Sequence, residues 1–503
     1  PIQSVYTSYN AGSYHTSDEM YDGHYYPTQL IPSVEQAFNQ DGNRYLNDVY
    51  VYVEADPGQT TGTLHYGIKK PSYVPGAWLA YSTITLTRFG RKEYIFNGGN
   101  NDNPIDWHEP SNWNRGAVPD KYHDVRIQAD VNISSPAEVF GLTIDPNCSI
   151  HIASTETSTG GLTVGAHGIQ GAASDGSSII IDNLKTGAGF LRISPEYKGT
   201  MPRLTMRYQT KSTLDDGANK DATWQYIGAP GANCQFTVDG ITWLYQWSEP
   251  QNWINKTGTL TLEPFAGYAI TQYGKPTYEL IAEPINTSQT ITLTKTPPPS
   301  GMEGNNLFAN SYMAPIDVKN FTGDEFTGNV EKTFYIFNSG SWNDWNQYDS
   351  IGNSIGGNGS NTPGQYCAIP ALSAPYLDSE YDITTIPPMQ GVYVIAYEND
   401  AKIHLNYNKH VWQAGNDTEA STSTNMNEAM RAPQRKAQEQ MLHNDFRRLR
   451  LQVNSANSGA DRMYIIQEST TTRGYDNGYD APNQFAEGIA NIYTTEPFGK
   501  MEV

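Results

Sequence analysis

The sequence predicts an all-β protein built of tandem β-sandwich modules, with a short β-solenoid-like segment in one of them. Two observations carry this prediction. Among 503 residues only 17% are charged and 12% are aromatic, while Gly (45) and Pro (30) are frequent. Aromatic and β-branched residues suit a pleated, half-buried surface, and Gly and Pro favour the turns between strands. Long amphipathic helical patterns are also nearly absent from the chain, so we expect many short strands.

The chain should contain several domains, because a single hydrophobic core stops growing at about 250–300 residues. A Pro-rich break at 297–301 and a polar tract at 413–445 suggest two of the boundaries. The predicted segments are an N-terminal β-sandwich-like module that is incomplete in the given sequence (1–95), a module of short rung-like strands (96–200), β-sandwich modules (201–300 and 301–412), a polar linker or short helix (413–445), and a C-terminal β segment preceding an absent domain (446–503).

Short apolar pairs recur through the second segment, with one residue inside each pair and turn residues between pairs. The pairs are Val125/Ile127, Leu142/Ile144, Ile150/Ile152, Leu162/Val164, Ile179/Ile181 and Leu191/Ile193. Evenly recurring short strands are typical of stacked solenoid rungs, and a tightly wound sandwich is the alternative.

A second repeat joins the two segments that follow. Pro264 and Pro388 are each followed by two residues, a Gly and a strand-like run, namely Gly267-Tyr268-Ala269-Ile270 and Gly391-Val392-Tyr393-Val394-Ile395. The match predicts two related halves of one larger sheet assembly.

The pattern W-x-E-P-x-N-W occurs twice, at 107–113 and at 247–253. Pro restricts the backbone, Asn favours a local turn, and two large aromatic rings can hold the loop on a sheet. The motif carries no catalytic chemistry. We therefore interpret it as a structural bracket with internal rings, used in two settings.

The formal net charge of −21 and a pI near 4.8 argue against nucleic acid as a partner, because such a surface repels phosphates. We find no transmembrane segment and no signal peptide. Since the chain begins at Pro1, we expect a mature or partial product of a longer precursor. Cys148, Cys234 and Cys367 are widely spaced and odd in number, so they predict small apolar residues and no disulfide framework.

Candidate binding residues lie in polar turns. Asp476, Asn477 and Asp480 could supply oxygen ligands to calcium, the one cofactor suggested, although a polar turn is the alternative because no Glu closes a calcium loop. Trp342 and Trp345 lie among Asn and Asp residues and could contact a glycan, or they could simply pack beside an exposed turn.

Catalytic signatures are scarce. The chain contains neither a G-x-S-x-G elbow nor an H-E-x-x-H zinc motif. A glycosidase needs only two carboxylates across a cleft, so 53 Asp and Glu residues leave a glycoside hydrolase as an open but weak alternative. We expect no enzyme.

Several stretches of the chain resemble one family. The first Trp motif continues through Gly116 and Pro119 into the run Asp124-Val125-Arg126-Ile127, and further matching pieces lie at 224–230, 306–317, 387–391 and 468–493. As a set they resemble large secreted surface proteins of the Bacteroidota, of the kind exported by type IX secretion. The resemblance implies a module architecture followed by a sorting domain, here absent. The tripeptide at 349–351 is also similar to the O-glycosylation sequon of that phylum, with Ser350 as acceptor.

We expect an extracellular protein on the exterior of a Gram-negative outer membrane, with a structural or adhesive role. A surface-layer subunit, a filament subunit and an adhesin stalk are the candidate roles, and other copies of the chain or other cell-surface proteins are the expected partners. The alternative is a glycan-binding region of a secreted polysaccharide-utilisation protein.

Overall fold

The protein was analysed as a computed structural model. The structure describes residues 19–21, 24–26, 93–100, 102–155, 158–184, 187–210, 224–249, 252–273, 277–297, 304–338, 365–377, 384–412, 447–455, 459–468, 471–472, 474–482, 492–496 and 499–502. The chain divides into two compact units, Pro1–Gly90 and Arg91–Val503. In the first unit, strands β1 (Glu19–Tyr21) and β2 (His24–Tyr26) form an antiparallel hairpin.

The prediction of an all-β, multi-module fold is confirmed by the second unit. Its strands β3 to β33 form a series of separate sheets. In the described ranges, helical structure is confined to short pieces: the 3-10 turns Pro110–Asn112, Val318–Asn320 and Ala374–Tyr376, and helix α1 (Tyr407–His410). No helix among the described residues is long and apolar enough to cross a membrane.

The unit begins with a parallel β-solenoid, so the predicted rungs are confirmed. The first solenoid sheet contains, in order, β3 (Tyr94–Phe96), β4 (Asp124–Ile127), β6 (Pro136–Ile144), β8 (Gly161–Gln170) and β11 (Phe190–Ile193). The second solenoid sheet contains β5 (Val131–Ile133), β7 (Ile150–Ile152), β9 (Ile179–Leu184) with the short β10 (Gly187–Ala188), and β12 (Leu204–Gln209). From β4 to β9 the chain alternates between the two sheets, and each return adds a parallel strand; β10 turns back antiparallel on β9 before β11 and β12 add the last parallel strands.

Stacked aliphatic side chains form the solenoid core. Ile133, Ile152, Ile181 and Met206 follow one another in register across the second solenoid sheet. All of them are 0% exposed. Full burial of such a side chain stabilises the fold by about 1.5–3 kcal/mol. The apolar pairs of the sequence therefore supply inward-facing residues, and the residue inside each pair faces outward.

The last rung continues into the next module without a break in the sheet. Strand β12 pairs in parallel with β9 on one side and antiparallel with β19 (Thr277–Ala282) on the other. The antiparallel register runs from Leu204↔Ala282 to Gln209↔Thr277. The solenoid and the following module thus share a sheet, while the predicted division into six segments stays a prediction.

The next part of the chain consists of two matching halves. The first half contains β13 (Gln225–Ile227), β14 (Cys234–Val238), β15 (Thr242–Ser248), β16 (Asn252–Lys256), β17 (Gly258–Leu262), β18 (Tyr268–Gln272) and β19. The second half contains β20 (Gln289–Thr292), β21 (Asn305–Ala309), β22 (Ile316–Asp317), β23 (Phe326–Thr327), β24 (Thr333–Asn338), β25 (Gln365–Pro370), β26 (Thr385–Ile386), β27 (Gly391–Ile395) and β28 (Lys402–Leu405). Each half builds a four-stranded sheet with the same order of corresponding strands, β13-β18-β15-β16 and β21-β27-β24-β25.

The two halves hold one another through matching turns. After Pro264 and Pro388, Phe265 and Met389 adopt positive φ angles of 62° and 66°. The carbonyl of Phe265 accepts a hydrogen bond from Ala309 N at 3.2 Å, and the carbonyl of Met389 accepts one from Gly228 N at 2.8 Å. Each turn therefore binds the end of the first strand of the four-stranded sheet in the other half, β21 or β13. This exchange confirms the prediction of two related halves.

The C-terminal strands form two small sheets. Strands β29 (Arg447–Ser455) and β30 (Gly459–Gln467) make a long antiparallel hairpin. Strands β31 (Ala481–Pro482), β32 (Thr494–Glu496) and β33 (Gly499–Glu502) make a sheet with β33 in the centre.

Candidate functional site

The first Trp motif folds into a buried bracket, as the sequence predicted. Trp107 and Trp113 are 0% and 3% exposed. Their rings meet edge to face with centroids 4.8 Å apart, and Trp113 Nε1 donates to the carbonyl of Trp107 at 2.7 Å. Buried Asn112 donates from Nδ2 to the carbonyls of Asn103 and Asp106 at 2.8 and 2.9 Å. The loop is thereby held by side-chain hydrogen bonds.

This bracket covers the first rung of the solenoid. Trp113 forms a β-bridge with Phe96, on the strand that begins the first solenoid sheet. Trp107 N donates to the carbonyl of Asn132 at 3.1 Å, on the strand that begins the second solenoid sheet. One loop thus contacts the terminal strand of both sheets, and an uncovered strand edge is a template for unwanted pairing.

The second Trp motif is a cross-strand pair. Trp247 and Trp253 lie opposite one another on β15 and β16, with ring centroids 5.0 Å apart. Trp247 is 7% exposed, and its Nε1 donates to the carbonyl of Asn305 at 2.7 Å. Trp253 is half-buried. This bracket joins the first half to strand β21 of the second half, so the expectation of one motif in two settings is confirmed.

The Glu of each motif also has a defined role. Glu109 Oε1 accepts from Ser111 N and Oγ at 3.2 and 2.7 Å, which caps a 3-10 turn. Glu249 Oε1 accepts from Thr296 N and Oγ1 at 2.7 and 2.8 Å and from Gly304 N at 2.8 Å. Glu249 is 3% exposed and ties down both flanks of the Pro-rich connector.

Tyrosines from both halves form an aromatic cluster between the four-stranded sheets. Tyr226 Oη and Tyr366 Oη are 2.9 Å apart, and the Tyr226 ring stacks on Trp253 at 5.7 Å. The Tyr393 ring meets Tyr226 at 5.4 Å. Burial raises the pKa of all of these phenols, so they remain neutral hydrogen-bonding groups at physiological pH.

The predicted glycan-contacting Trp342 and Trp345 and the predicted O-glycosylation acceptor Ser350 lie outside the described residues. They belong to the segment 339–364, which connects β24 to β25. Both assignments stay predictions.

The predicted calcium ligands do come together in one turn. Asp476 Oδ1 accepts from Thr472 Oγ1 at 3.0 Å, and Asp480 Oδ2 accepts from Asp476 N at 2.7 Å. Asn477 reaches the second half: its Nδ2 donates to the carbonyl of Val330 at 2.9 Å and its Oδ1 accepts from Lys332 N at 2.8 Å. These oxygens already serve the turn and its docking. A calcium ion would have to compete with these hydrogen bonds for the same oxygens. The calcium site stays a prediction.

The same turn docks beside a buried carboxylate. Glu331 is 0% exposed and accepts hydrogen bonds from Tyr335 Oη and, at 3.0 Å, from Tyr397 Oη. Burial raises the pKa of Glu331 although both hydroxyls oppose the shift. Gly478 O accepts from Leu372 N at 2.8 Å, and Pro482 O lies 3.4 Å from Tyr335 Oη. The C-terminal segment therefore closes over this part of the second half.

Two clefts adjoin the Trp motifs. The first, of about 310 Å³, lies beside Trp107 and is lined in part by His108, Pro119, Lys121, Tyr122 and Glu138. The second, of about 290 Å³, lies beside Trp247 and is lined in part by Gln246, Ser248, Glu249 and Asn306. Sequence reasoning singled out the motifs but not the clefts, because most of the lining residues come from other strands and loops.

The chemistry of the described residues is that of packing and docking. No group of three or more His, Cys, Asp or Glu residues in the described part of the chain is arranged to hold a metal ion. The three cysteines are free thiols, and burial raises the pKa of Cys234 to about 12. That thiol is therefore protonated at physiological pH, which fits the small apolar role expected for it.

Fold and site together define an all-β, modular protein in which one copy of the Trp motif covers the first rung of the solenoid and the other joins two sheet halves. Among known proteins, the chain is similar to the minor fimbrium subunit Mfa5 of Porphyromonas gingivalis, with 26% identity over 499 aligned residues. The match covers 91% of this chain but 36% of the subunit, so the chain spans little more than a third of the length of that relative. No protein-family model matches the chain, and no solved structure matches it.

Proposed function

We propose that the chain is a structural or adhesive component of a bacterial cell surface and takes part in a surface filament. The observation that carries this proposal is the similarity to a minor fimbrium subunit along 91% of the chain. The architecture supports it, because a solenoid that shares a sheet with the following module is a stiff spacer. Of the roles considered, a filament subunit fits better than a surface-layer subunit or an adhesin stalk.

The remaining features belong to the same proposal. The partners would be other copies of the chain or other subunits of the filament, and the source would be a member of the Bacteroidota that exports the protein by type IX secretion to the exterior of its outer membrane. We expect no enzymatic activity. The motifs support this view, since their buried groups bind other parts of the chain.

Labelling of intact cells tests the proposal. Antibodies against the purified chain should label the surface of intact source cells in electron micrographs, with gold particles along filaments. Chemical cross-linking of the same cells should connect the chain to other copies or to filament subunits. Labelling that appears only after permeabilisation, or cross-links confined to intracellular proteins, would contradict the proposal.

A further inference from the structure

Three polar residues form a row on the outer face of the first solenoid sheet. Glu138, Thr163 and Arg192 each lie between two inward-facing apolar residues, and they occupy one register position on β6, β8 and β11. Adjacent strands lie about 4.8 Å apart, so the side chains are direct neighbours. The row ends at Glu138 in the wall of the first cleft.

Each residue of the row keeps a buried polar atom without a hydrogen-bond partner, namely Glu138 Oε1, Thr163 Oγ1 and Arg192 Nε. Thr163 and Arg192 are 7% and 4% exposed. The far end of Arg192 is held, because Nη2 donates to Asn408 Oδ1 at 3.2 Å and the guanidinium lies 5.1 Å from the Tyr407 ring. A buried polar atom without a partner costs about 1–3 kcal/mol. Of the three residues, Glu138 borders the cleft, so its Oε1 is the atom for which a bound polar group is expected.

The cleft favours a neutral ligand rich in hydroxyl groups. Of the row only Glu138 lines the cleft, where it offers an acceptor beside the carboxylate of Asp120 and the ammonium donor of Lys121. A sugar hydroxyl can satisfy acceptor and donor alike because it both donates and accepts. Glu138 and Asp120 would repel an anion, whereas Lys121 in the wall and the buried Arg192 of the row would repel a cation. Burial raises the pKa of Glu138 while these two cations oppose the shift, so both lie close enough to act on it.

The rim of the cleft supplies an aromatic surface. Tyr122 is 49% exposed, and Lys121 Nζ lies 5.3 Å from its ring centroid. Pro119 and Ala137 add apolar wall beside it. A pocket with apolar walls and a few convergent polar groups is the usual form of a small-molecule site.

We propose that the cleft beside the first Trp motif binds a neutral sugar residue, with Glu138 accepting hydrogen bonds from its hydroxyls and Tyr122 packing against its ring. This inference goes beyond the proposed filament role, because it concerns a ligand of the separate chain and does not require assembly.

Saturation-transfer NMR on the purified full chain tests the proposal. The probes are methyl α-D-mannopyranoside, methyl β-D-galactopyranoside and methyl α-L-fucopyranoside, each at millimolar concentration. At least one should show transfer, and titration should give a weaker affinity for Tyr122→Ala and for Glu138→Gln, by about tenfold for the loss of a charged hydrogen-bond acceptor. The matched control is Ile241→Ala, which changes a side chain of similar exposure (43%) outside the cleft.

Each outcome either supports or overturns the proposal. Transfer that is reduced in both cleft variants and retained in Ile241→Ala supports the proposal. Absence of transfer for every probe overturns it, and so does transfer that the cleft variants leave unchanged or that the control also loses. Because the assembly test uses intact cells and this test uses the purified chain, failure of one leaves the other result standing.

Discussion

At the scale of single residues, one buried carboxylate of the second half is surrounded by hydrogen-bonding partners. Glu325 is 7% exposed and binds the ammonium group of Lys409, and His410 Nε2 lies 3.3 Å from Glu325 Oε1. Asn406 N donates to His410 Nδ1 at 2.9 Å, which leaves Nε2 to carry the proton of a neutral ring. The Phe321 ring stacks on His410 at 4.1 Å. Together these contacts fix helix α1 to the second half.

We predict that this cluster loses stability in acid. Burial lowers the pKa of His410 below 6.5, so the unfolded chain takes up a proton there before the folded chain does. Burial would raise the pKa of Glu325, but hydrogen bonds from Lys409 and from backbone N–H groups lower it from 4.5 to about 2. Both groups therefore stabilise the fold at neutral pH. The contribution of His410 declines below pH 6.5, and that of Glu325 declines from pH 4.5 downward.

The variant His410→Gln isolates the histidine part of this effect. The difference between the free energies of unfolding of the two proteins, measured with urea at a series of pH values, should be constant above pH 6.5 and change below it. A difference that does not vary with pH would contradict the assignment.

A second prediction concerns the C-terminal turn. Asn477→Ala removes both of its hydrogen bonds to the second half and should lower the free energy of unfolding by about 1–3 kcal/mol, because buried backbone groups lose their partners. The control is Asn399→Ala, since the Asn399 side chain is exposed. It accepts a bond from Lys295 N at 3.3 Å and donates one to the neighbouring Asp400 Oδ2 at 3.1 Å. Urea unfolding measures both, and equal losses would count against a docking role.

A further variant in the same turn, Asp480→Asn, tests for calcium. If hydrogen bonds alone fix the conformation of this turn, calcium should leave the Tm of the native chain unchanged. A rise in Tm with calcium that disappears in Asp480→Asn would instead establish the ion site, by preferential binding to the folded state.

At the scale of elements, the first Trp motif is a cap that prevents strands of other chains from pairing with the first rung of the solenoid. Trp113→Ala should lower the free energy of unfolding by about 3–5 kcal/mol, because it empties a buried site, and should also uncover the first rung. Light scattering after size-exclusion chromatography should show self-association. Trp253→Ala, in the half-buried ring of the second motif, is the matched control and should remain as monodisperse as the native chain. Self-association in both variants would contradict a capping role.

The elements also show what sequence reasoning can reach. The pairs Val125/Ile127 and Ile150/Ile152 predicted short strands in the right places, because alternation reports which side chains face inward. It does not report whether neighbouring strands run parallel, so a sandwich stayed open as an alternative. The outward row of Glu138, Thr163 and Arg192 was missed for a related reason. Only the register between rungs places these residues side by side, although each lies between two apolar residues in the sequence.

The turns after Pro264 and Pro388 predicted the two related halves, because the same spacing recurs before a strand in each half. Their mutual hydrogen bonds could not be foreseen, since these depend on how the halves face one another. The docking of Asn477 could not be foreseen from the sequence either. A residue that looks like a metal ligand in a polar turn binds backbone groups more than a hundred positions earlier in the chain, as the Val330 contact shows.

At the scale of the whole molecule, the solenoid and the first half should unfold together. Met206 is 0% exposed in the last rung, and its strand pairs with β19. Met206→Ala should destabilise the rung by about 2–5 kcal/mol and lower hydrogen-exchange protection in β19 as well as in β9. Strand β28 of the second half serves as the internal reference. Loss of protection in β9 with unchanged protection in β19 would show that the shared sheet is not a cooperative unit.

The pairing of β12 with β19 has a mechanical consequence. A flexible linker between two modules lets one swivel while the other stays still, and tension then straightens the linker first. Here the joint is a ladder of hydrogen bonds from Leu204↔Ala282 to Gln209↔Thr277. Any pull that separates the two modules must load that ladder directly. In the proposed role at a cell surface, such a joint would pass tension from one module to the next instead of absorbing it.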